Sequence, residues 1–321
     1  MRTAILVLIG LFVSGLGRAS STLPEPQWER YEYILETDYA SPEALARDIR
    51  ARYSSEFDRA AAIYYWVARS IAYDTKLMHE VVRSGPKAYT LEELEREYEG
   101  RISYAWKTRR GVCDNYTRLM VRLCDLVGLQ AQYIKGHARG DYLATGSLGI
   151  GHAWNAIKVD GTYHLMDATW GAGHVTSALR FEREFKPQYF APNPVSFSYS
   201  HHPEEAKWQL RANPMPTEAF LSRVAVGRGF LRYDLRSINY DEYELSVEKG
   251  EPLRITGVGE RLPSQFIVVD LAAEKQIAGA TSFRDTQFSI VIPPEALRNM
   301  KLGILNPQGE VVLAYQVRVS D

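Results

Sequence analysis

The stretch RRGVCDNYTRLMVRLCDLVGL, residues 109–129, decides how the rest of the chain is interpreted. It predicts a helix that begins near Cys113 and ends at Gly128, because apolar residues recur at helical spacing at Leu119, Leu123, Leu126 and Val127. A cysteine at a helix start is usually a small buried side chain, but a helix N-terminus also stabilises a thiolate. Whether Cys113 is a nucleophile therefore depends on partners elsewhere in the sequence.

The only two cysteines of the chain, Cys113 and Cys124, both lie in this stretch. Their separation of eleven positions corresponds to about 16 Å along one helix. A disulfide requires Cα atoms within roughly 7 Å of each other, so the two cannot pair within that helix. The spacing thus indicates free thiols, at least one of which is available for chemistry.

Start signals upstream of this stretch predict three further helices. Ser41 is the N-cap of SPEALARDIRARY, and Ser55 is the N-cap of EFDRAAAIYYWVARSIAYD. Thr90 and Glu93 form a capping box at the start of TLEELEREYEG, where Gly100 is interpreted as the stop. The N-terminal part of the chain is therefore predicted to be mainly helical.

Downstream, HAWNAIKVDGTYHLMDATW, residues 152–170, consists of two alternating runs around Asp160-Gly161. This dipeptide between alternating apolar runs is a strong hairpin signal. With a two-residue turn, His152 lies opposite Thr169, and Asp167 lies diagonally from His152 on the same face of the sheet. The hairpin register therefore allows the His152 imidazole and the Asp167 carboxylate to form a hydrogen bond.

Such a pair is what a cysteine nucleophile needs. The thiolate is the reactive form of a cysteine, and a nearby imidazolium stabilises it. A carboxylate behind the imidazole fixes the tautomer and the orientation of the ring. Cys113, His152 and Asp167 are therefore the candidate catalytic residues, and their chemistry proceeds through a thioester acyl-enzyme with release of an amine.

The same residues lie in motifs that resemble those of the transglutaminase-like superfamily, a papain-like group. The three core motifs are similar to GVCDNYTRLMVRLCDLVGL, GHAWNAIKVDG and YHLMDATWGAG. The upstream WVARSIAYD resembles the helix that precedes that core. The stretch YFAPNPVSFSYSHHPEEAKWQL resembles the segment that follows it in the kyphoscoliosis-peptidase-like branch, so the resemblance covers roughly residues 55–210.

The resemblance implies an α+β fold, a papain-like transglutaminase core in which helices pack on an antiparallel sheet. It also implies that Cys113 is the nucleophile, His152 the general base and acid, and Asp167 the orienting carboxylate. Members of the superfamily include protein crosslinkers, cysteine peptidases, de-N-glycosylating amidases and proteins with no shown activity. The resemblance therefore implies a reaction class and leaves hydrolysis and acyl transfer both open.

Acyl chemistry also requires donors for the oxyanion. The backbone N–H of Cys113, at a helix start, is one natural donor. The second donor is left open, with Trp106 near in sequence. The candidate substrate-binding residues near the motifs are Trp106, Trp154 and Trp170. Core packing is the alternative interpretation for each of them.

The N-terminus has the pattern of a secretory signal peptide, residues 1–19. Arg2 is the positive region, AILVLIGLFV is the apolar region, and Gly17 and Ala19 occupy the small positions of a cleavage site. A membrane anchor is the alternative, but a spanning helix needs roughly 20 apolar residues and this run is about half as long. The protein is therefore expected to be exported, periplasmic or secreted, without stable membrane insertion after cleavage.

The mature chain is predicted to have two domains. Residues 20–214 are expected to form the transglutaminase-like catalytic domain. From about residue 217 roughly seven short strands follow one another between turn residues, the clearest being LRITGVG, QFSIVIP and EVVLAYQVRV. This spacing is typical of a β-sandwich, so residues 215–321 are predicted to form an immunoglobulin-like domain.

Composition restricts the class of partner. A net charge of −1 gives no basic footprint for nucleic acid, and no ligand spacing supports a metal or another cofactor. The predicted function is an exported enzyme acting on protein or peptide amides, with a further envelope partner for the C-terminal domain. The alternative is a binding or scaffold protein at the cell envelope that keeps the fold without turnover.

Overall fold

The computed structural model describes residues 23–85, 90–140 and 146–320 of the 321 in the chain. The predicted signal peptide, residues 1–19, lies outside the described residues. No helix within the described ranges is long and apolar enough to cross a membrane.

The helices occupy mainly the first half of the chain. Their bounds are α1 Tyr33–Glu36, α2 Pro42–Arg52, α3 Glu56–Ser70, α4 Thr75–Ser84, α5 Leu91–Thr108, α6 Cys113–Val127, α7 Ala168–Ala172, α8 Pro194–Phe197, α9 Thr217–Ser222 and α10 Arg228–Arg232. The predicted caps of α2 and α3 are confirmed, since the Ser41 hydroxyl accepts a hydrogen bond from Ala44 N–H and the Ser55 hydroxyl accepts one from Asp58 N–H. Helix α6 ends as predicted at Gly128, whose φ of 84° is left-handed.

The predicted stop of α5 at Gly100 is wrong. The capping box of Thr90 and Glu93 is present, but the helix continues through Gly100 to Thr108. Past the glycine, Ile102 and Ala105 are buried in the core. A glycine inside a helix costs only about 1 kcal/mol relative to alanine, and burial of the apolar side chains of the next turns outweighs this.

The strands form two groups. The first group is β1 Ala72–Tyr73, β2 Arg110–Gly111, β3 Ala131–Ala138, β4 Ile150–Val159, β5 Thr162–Met166, β6 Gly173–Val175, β7 Phe181–Arg183 and β8 His201–Pro203. The second group is β9 Ala225–Val226, β10 Leu235–Ile238, β11 Glu244–Glu248, β12 Leu253–Gly259, β13 Ile267–Asp270, β14 Lys275–Gln276, β15 Ala280–Arg284, β16 Gln287–Ile292, β17 Met300–Leu305 and β18 Val311–Ser320.

A four-stranded antiparallel sheet in the order β5-β4-β3-β8 carries the candidate site. The predicted hairpin is confirmed, with Val159 paired to Thr162 across the Asp160-Gly161 turn. The predicted pairing of His152 with Thr169 is wrong, because β5 ends at Met166 and Thr169 lies in α7. Asp167 therefore follows the strand as the N-cap of α7 and is no longer part of the ladder.

The C-terminal strands form two sheets, in the orders β10-β12-β16-β15 and β11-β18-β17-β13-β14, with β9 beside β18. The second sheet contains one parallel pair, β11 with β18. Two short helices, α9 and α10, interrupt the start of this region, where the sequence pattern had predicted strands only. Both helices bury apolar side chains, namely Phe220, Phe230 and Leu231. The two helices therefore cover hydrophobic core and do not extend a sheet.

The described residues contain two hydrophobic clusters. The first lies around α3, α6 and the β3–β5 strands, and the second lies between the two C-terminal sheets. The clusters meet where Tyr199, which follows α8, packs into the second cluster and Leu231 of α10 packs into the first. This mutual packing fixes the C-terminal strands beside the part of the chain that contains the β5-β4-β3-β8 sheet.

Gly136 lets β3 pack closely between its neighbours, and we expect Gly136→Ala to destabilise the protein. A Cβ at this position would meet the backbone of His202 and Pro203 and the ring of Trp154. The added methyl group would have backbone on one side and a fully buried indole on the other, and neither can move aside easily. We therefore expect the free energy of unfolding to fall by about 3 kcal/mol. Urea denaturation measures this loss.

The matched control for that substitution is Gly151→Ala on the neighbouring strand β4. A Cβ on Gly151 would have no atom within 4 Å. Equal unfolding midpoints for the two variants would contradict the argument from close approach.

Candidate active site

A cavity of about 730 Å³ opens beside the β5-β4-β3-β8 sheet. Cys113, His152 and Trp170 all line it, together with Tyr73. The opposite wall comes from the C-terminal part of the chain, through residues such as Arg228 and Glu310. The candidate nucleophile and the candidate base therefore share one solvent-accessible space.

Cys113 is the first residue of α6. The helix start is fixed by Asn115, whose side-chain oxygen accepts a hydrogen bond from Val112 N–H at 2.9 Å. The Asn115 amide nitrogen in turn donates to the Arg101 carbonyl of α5 at 3.0 Å. The Asn115 side chain is fully buried, so both of these hydrogen bonds are shielded from water.

The two cysteines occupy different environments. Cys113 is partly exposed and Cys124 is buried, and both are free thiols. Burial raises the pKa of the Cys124 thiol far above its usual range. Cys124 is therefore a core residue, as the apolar side of the helix indicated.

His152 and Asp167 form the hydrogen bond that the hairpin register allowed. The distance between His152 Nε2 and the Asp167 carboxylate is 2.7 Å, and both side chains are buried. Because Nε2 is engaged by Asp167, Nδ1 is the ring nitrogen that remains for the thiol. The Asp167 oxygen on the other side accepts hydrogen bonds from the backbone N–H groups of Thr169 and Trp170 at 2.9 and 3.0 Å.

The electrostatics of the pair favour its charged form. Burial opposes a charge on His152, but the Asp167 carboxylate outweighs burial and raises the pKa of His152, with a further contribution from Cys113. Burial likewise opposes the Asp167 charge, yet His152 and His201 hold the pKa of the carboxyl below its usual range. An ionised carboxylate behind a readily protonated imidazole is therefore the resting arrangement.

His201 is a residue that sequence reasoning missed. Its Nε2 lies 3.2 Å from the same Asp167 oxygen that His152 contacts, and its side chain is fully buried. Burial lowers the pKa of His201 to about 4, despite the neighbouring carboxylate. Nothing in the sequence predicted that β8 pairs with β3 beside the hairpin, and this pairing is what brings His201 to Asp167.

The three tryptophans lie in different places. Trp170 lines the cavity and packs near the His152 ring, with ring centroids 5.4 Å apart. Trp154 is buried beneath His152 and is not part of the cavity wall, and its ring lies 5.9 Å from the imidazole. Trp106 stacks on Trp66 at 4.9 Å, away from the cavity. The geometry thus brings Trp170 to the site and gives Trp106 a packing position.

Tyr73 is a second residue that the sequence did not single out. It follows α3 in strand β1, where it pairs with Gly111 two positions before Cys113. Burial raises the pKa of the Tyr73 phenol, and the nearby Cys113 side chain raises it further. The hydroxyl therefore keeps its proton and lines the cavity as a hydrogen-bond donor.

One cluster in the described ranges has potential metal ligands close together, namely His152, Asp167 and His201, whose ligand atoms lie within 4.8 Å of one another. The 2.7 and 3.2 Å separations to Asp167 are hydrogen-bond distances. Metal binding there would require both histidines to give up the ring proton that they donate to the carboxylate. The arrangement is that of a hydrogen-bonded chain.

Comparison with known proteins agrees with this architecture. Residues 43–168 match the sequence model of the transglutaminase-like superfamily. The chain is 27% identical over 264 residues to mouse (Mus musculus) kyphoscoliosis peptidase, which covers 81% of this chain and 37% of that protein. It is 26% identical over 291 residues to the Homo sapiens kyphoscoliosis peptidase, covering 89% of this chain and 41% of that protein.

Among solved structures, a TGase crystal structure is similar with 18% identity and a TM-score of 0.29, covering 44% of this chain and 37% of that one. The chain spans about two fifths of the length of the curated relatives that it matches over most of its own length. The similarity to the two kyphoscoliosis peptidases covers 81% and 89% of this chain, so it extends beyond the core motifs.

Proposed function

Because residues 43–168 match the sequence model of the transglutaminase-like superfamily, we propose that this protein is an exported cysteine-nucleophile enzyme that acts on amide bonds of proteins or peptides. The observation that carries the proposal is the meeting of Cys113, at the start of α6, and His152, backed by Asp167, on one cavity. Thiol-dependent acyl chemistry needs these three groups in this order.

The reaction follows from the arrangement. His152 takes the Cys113 proton, and the thiolate sulfur attacks the amide carbonyl carbon to form a tetrahedral adduct. The adduct collapses when His152 returns the proton to the leaving nitrogen, so the C–N bond breaks, an amine departs and a thioester remains. Water or a second amine then attacks the thioester, losing its proton to His152, and the thiol is regenerated.

The oxyanion of the adduct needs two donors, and we assign the second to Tyr73. The first is the backbone N–H of Cys113, which has no partner within the helix because it belongs to the first turn. Tyr73 lines the same cavity, and its phenol is close enough to the Cys113 side chain for the two groups to interact electrostatically. A protonated phenol can donate to the oxyanion without taking part in proton transfer.

We expect Tyr73→Phe to lower kcat about 100-fold, the loss typical of one missing oxyanion donor, with little change in KM. Steady-state kinetics on an amide substrate measures both constants. The rate of Cys113 alkylation by iodoacetamide should stay near the wild-type value, because alkylation forms no oxyanion. Tyr104→Phe, which removes a hydroxyl bonded to Asp74 at 2.7 Å, is the matched control. A loss of alkylation equal to the loss of turnover would contradict the assignment.

Hydrolysis is our preferred outcome over acyl transfer, because water is the abundant acceptor outside the cell and the sequence shows no calcium-binding loop. Export itself rests on the signal pattern of residues 1–19. The C-terminal region, predicted as a separate domain from residue 215, supplies part of the cavity wall. An envelope partner for this region is a further part of the proposal.

The first experiment follows the rate of iodoacetamide alkylation at Cys113 against pH, with the site identified by mass spectrometry. We expect rapid alkylation well below pH 8, strongly reduced in His152→Ala, while buried Cys124 stays unmodified in the folded protein. An ordinary thiol profile in both proteins would overturn the proposal. It would favour the alternative function, a binding or scaffold protein that keeps the fold without turnover.

A further inference from the structure

A second histidine lies behind the Asp167 carboxylate, and we propose that it is a positioning residue of the catalytic site. His201 donates a hydrogen bond from Nε2 to the oxygen of Asp167 that also receives the His152 Nε2 proton. The site would thus be a chain of four residues, Cys113, His152, Asp167 and His201. This inference rests on the proposed function, since it concerns how that reaction's base is held.

The Asp167 carboxylate is fully satisfied by this arrangement. One oxygen accepts the Thr169 and Trp170 backbone N–H groups, and the other accepts both histidine rings, at 2.7 and 3.2 Å. The carboxyl group is completely buried. A buried carboxylate stays ionised only where hydrogen bonds replace the water it has lost, so each of the four donors contributes to the charge that His152 needs.

The hydrogen-bond partners of His201 fix its tautomer. The ionised Asp167 carboxylate only accepts, so the ring presents an N–H to it. The other ring nitrogen, Nδ1, lies 2.8 Å from the Ser200 hydroxyl, closer than the Phe197 carbonyl at 3.3 Å from the same hydroxyl, and is the better acceptor for the hydroxyl proton. The His201 Nε2 then carries the proton that Asp167 accepts. Burial keeps the ring neutral near pH 7, so His201 gives Asp167 a hydrogen bond without adding a charge that would repel the protonated His152.

Packing holds the His201 ring in this orientation. The ring stacks on Phe197 with centroids 3.7 Å apart and an interplanar angle of 14°, and the edge of Trp170 lies against it at 4.6 Å. The neighbouring His202 points elsewhere, with its Nε2 3.0 Å from the Thr217 hydroxyl and its ring on Phe220. Two adjacent histidines of one strand therefore have different surroundings, which provides a matched pair for experiment.

The test compares His201→Phe, His201→Gln and His202→Phe by the pH dependence of Cys113 alkylation. Phenylalanine keeps the stack on Phe197 but removes the donor, so Asp167 should protonate at a higher pH than in the wild type. His152 loses its counter-charge only below that pH, which is why the acid side of the profile reports the change. We expect the acid limb of the alkylation profile to move upward by about one pH unit in His201→Phe. Glutamine restores an N–H donor and should return the limb toward its wild-type position, and His202→Phe should leave it unchanged.

A result in which His201→Phe alkylates with the wild-type profile would overturn the inference while leaving the proposed function intact. Absence of an activated thiolate in the wild type would instead overturn the proposed function. Turnover adds a second readout, because a positioning role predicts a fall in kcat with little change in KM. A variant that merely loses stability would show the wild-type profile below its unfolding temperature, which also counts against the inference.

A measurement on the unaltered protein keeps the inference falsifiable should His201→Phe fail to fold. Nitrogen-15 NMR of the histidine rings between pH 5 and 8 reports the tautomer of each ring. We expect His201 to be neutral with its proton on Nε2 throughout this range. If the ring proton is on Nδ1 instead, His201 cannot donate a hydrogen bond to Asp167, and the inference is overturned.

Discussion

Cys113→Ala should abolish amide turnover, lowering kcat/KM by at least about 10⁴-fold, because Cys113 is the one thiol among the described residues that line the cavity. Removing the sulfur leaves the oxyanion donors and His152 in place, but the covalent step has no nucleophile. The measurement is product release from an amide substrate, with mass spectrometry of the acid-quenched protein to detect an acyl-enzyme, whose thioester a later hydroxylamine treatment should remove as the hydroxamate. Wild type should show the adduct and the variant should not.

The stability of the same variant separates chemistry from folding. Cys113 is partly exposed on the cavity wall, so we expect its loss to change the free energy of unfolding by less than about 1 kcal/mol. Cys124→Ala is the matched control on the same helix. Cys124 is buried, so this variant should lose about 1 to 2 kcal/mol of stability while its turnover stays near wild type. Turnover that survives in Cys113→Ala would exclude Cys113 as the nucleophile.

Asp167→Asn should be the most damaging substitution that leaves the shape of the site unchanged. The two backbone N–H groups of Thr169 and Trp170 require an acceptor, so the asparagine oxygen should stay on their side. Its NH₂ group then points at the Nε2 atoms of His152 and His201, which must become acceptors. His152 would carry its proton on Nδ1, facing the thiol, and could no longer accept the thiol proton. We expect kcat to fall about 10³- to 10⁴-fold.

The pH dependence of that variant follows from the sign of the pKa shift. In the wild type the Asp167 charge raises the pKa of His152 against the opposing effect of burial. Without this charge burial dominates, and the pKa of His152 falls. The thiolate–imidazolium pair exists only while His152 is protonated, so its upper pH limit should move down.

Alkylation rates between pH 5 and 10 measure this limit. Asp160→Asn in the exposed hairpin turn is the matched control, since asparagine also tolerates the left-handed φ of 49° at that position. An unchanged upper limit in Asp167→Asn would contradict the assignment of Asp167 as the counter-charge of His152.

The sequence determined those features that depend on residues close together in the chain. Ser41 and Ser55 begin their helices because a hydroxyl satisfies an N–H group three residues later. Asp160-Gly161 sets the register of the β4–β5 hairpin as far as the Asn155–Met166 pair. Asp167 follows this pair directly, so it starts close to the strand that carries His152, and the N-cap position of α7 completes the approach. The helix that starts at Cys113 follows from its own apolar spacing and from Gly128.

Other features were decided only by tertiary structure, because they depend on contacts between distant segments. Helix α5 runs past Gly100, since the burial of Ile102 outweighs the local cost of the glycine. Tyr73 reaches the cavity through pairing of β1 with β2. His201 reaches Asp167 because β8 joins the sheet beside β3, across 34 positions of sequence. The local periodicity of a sequence predicts which face of a helix or strand is buried. It does not predict which distant side chain packs against that face, because this depends on how the elements pack in the tertiary structure.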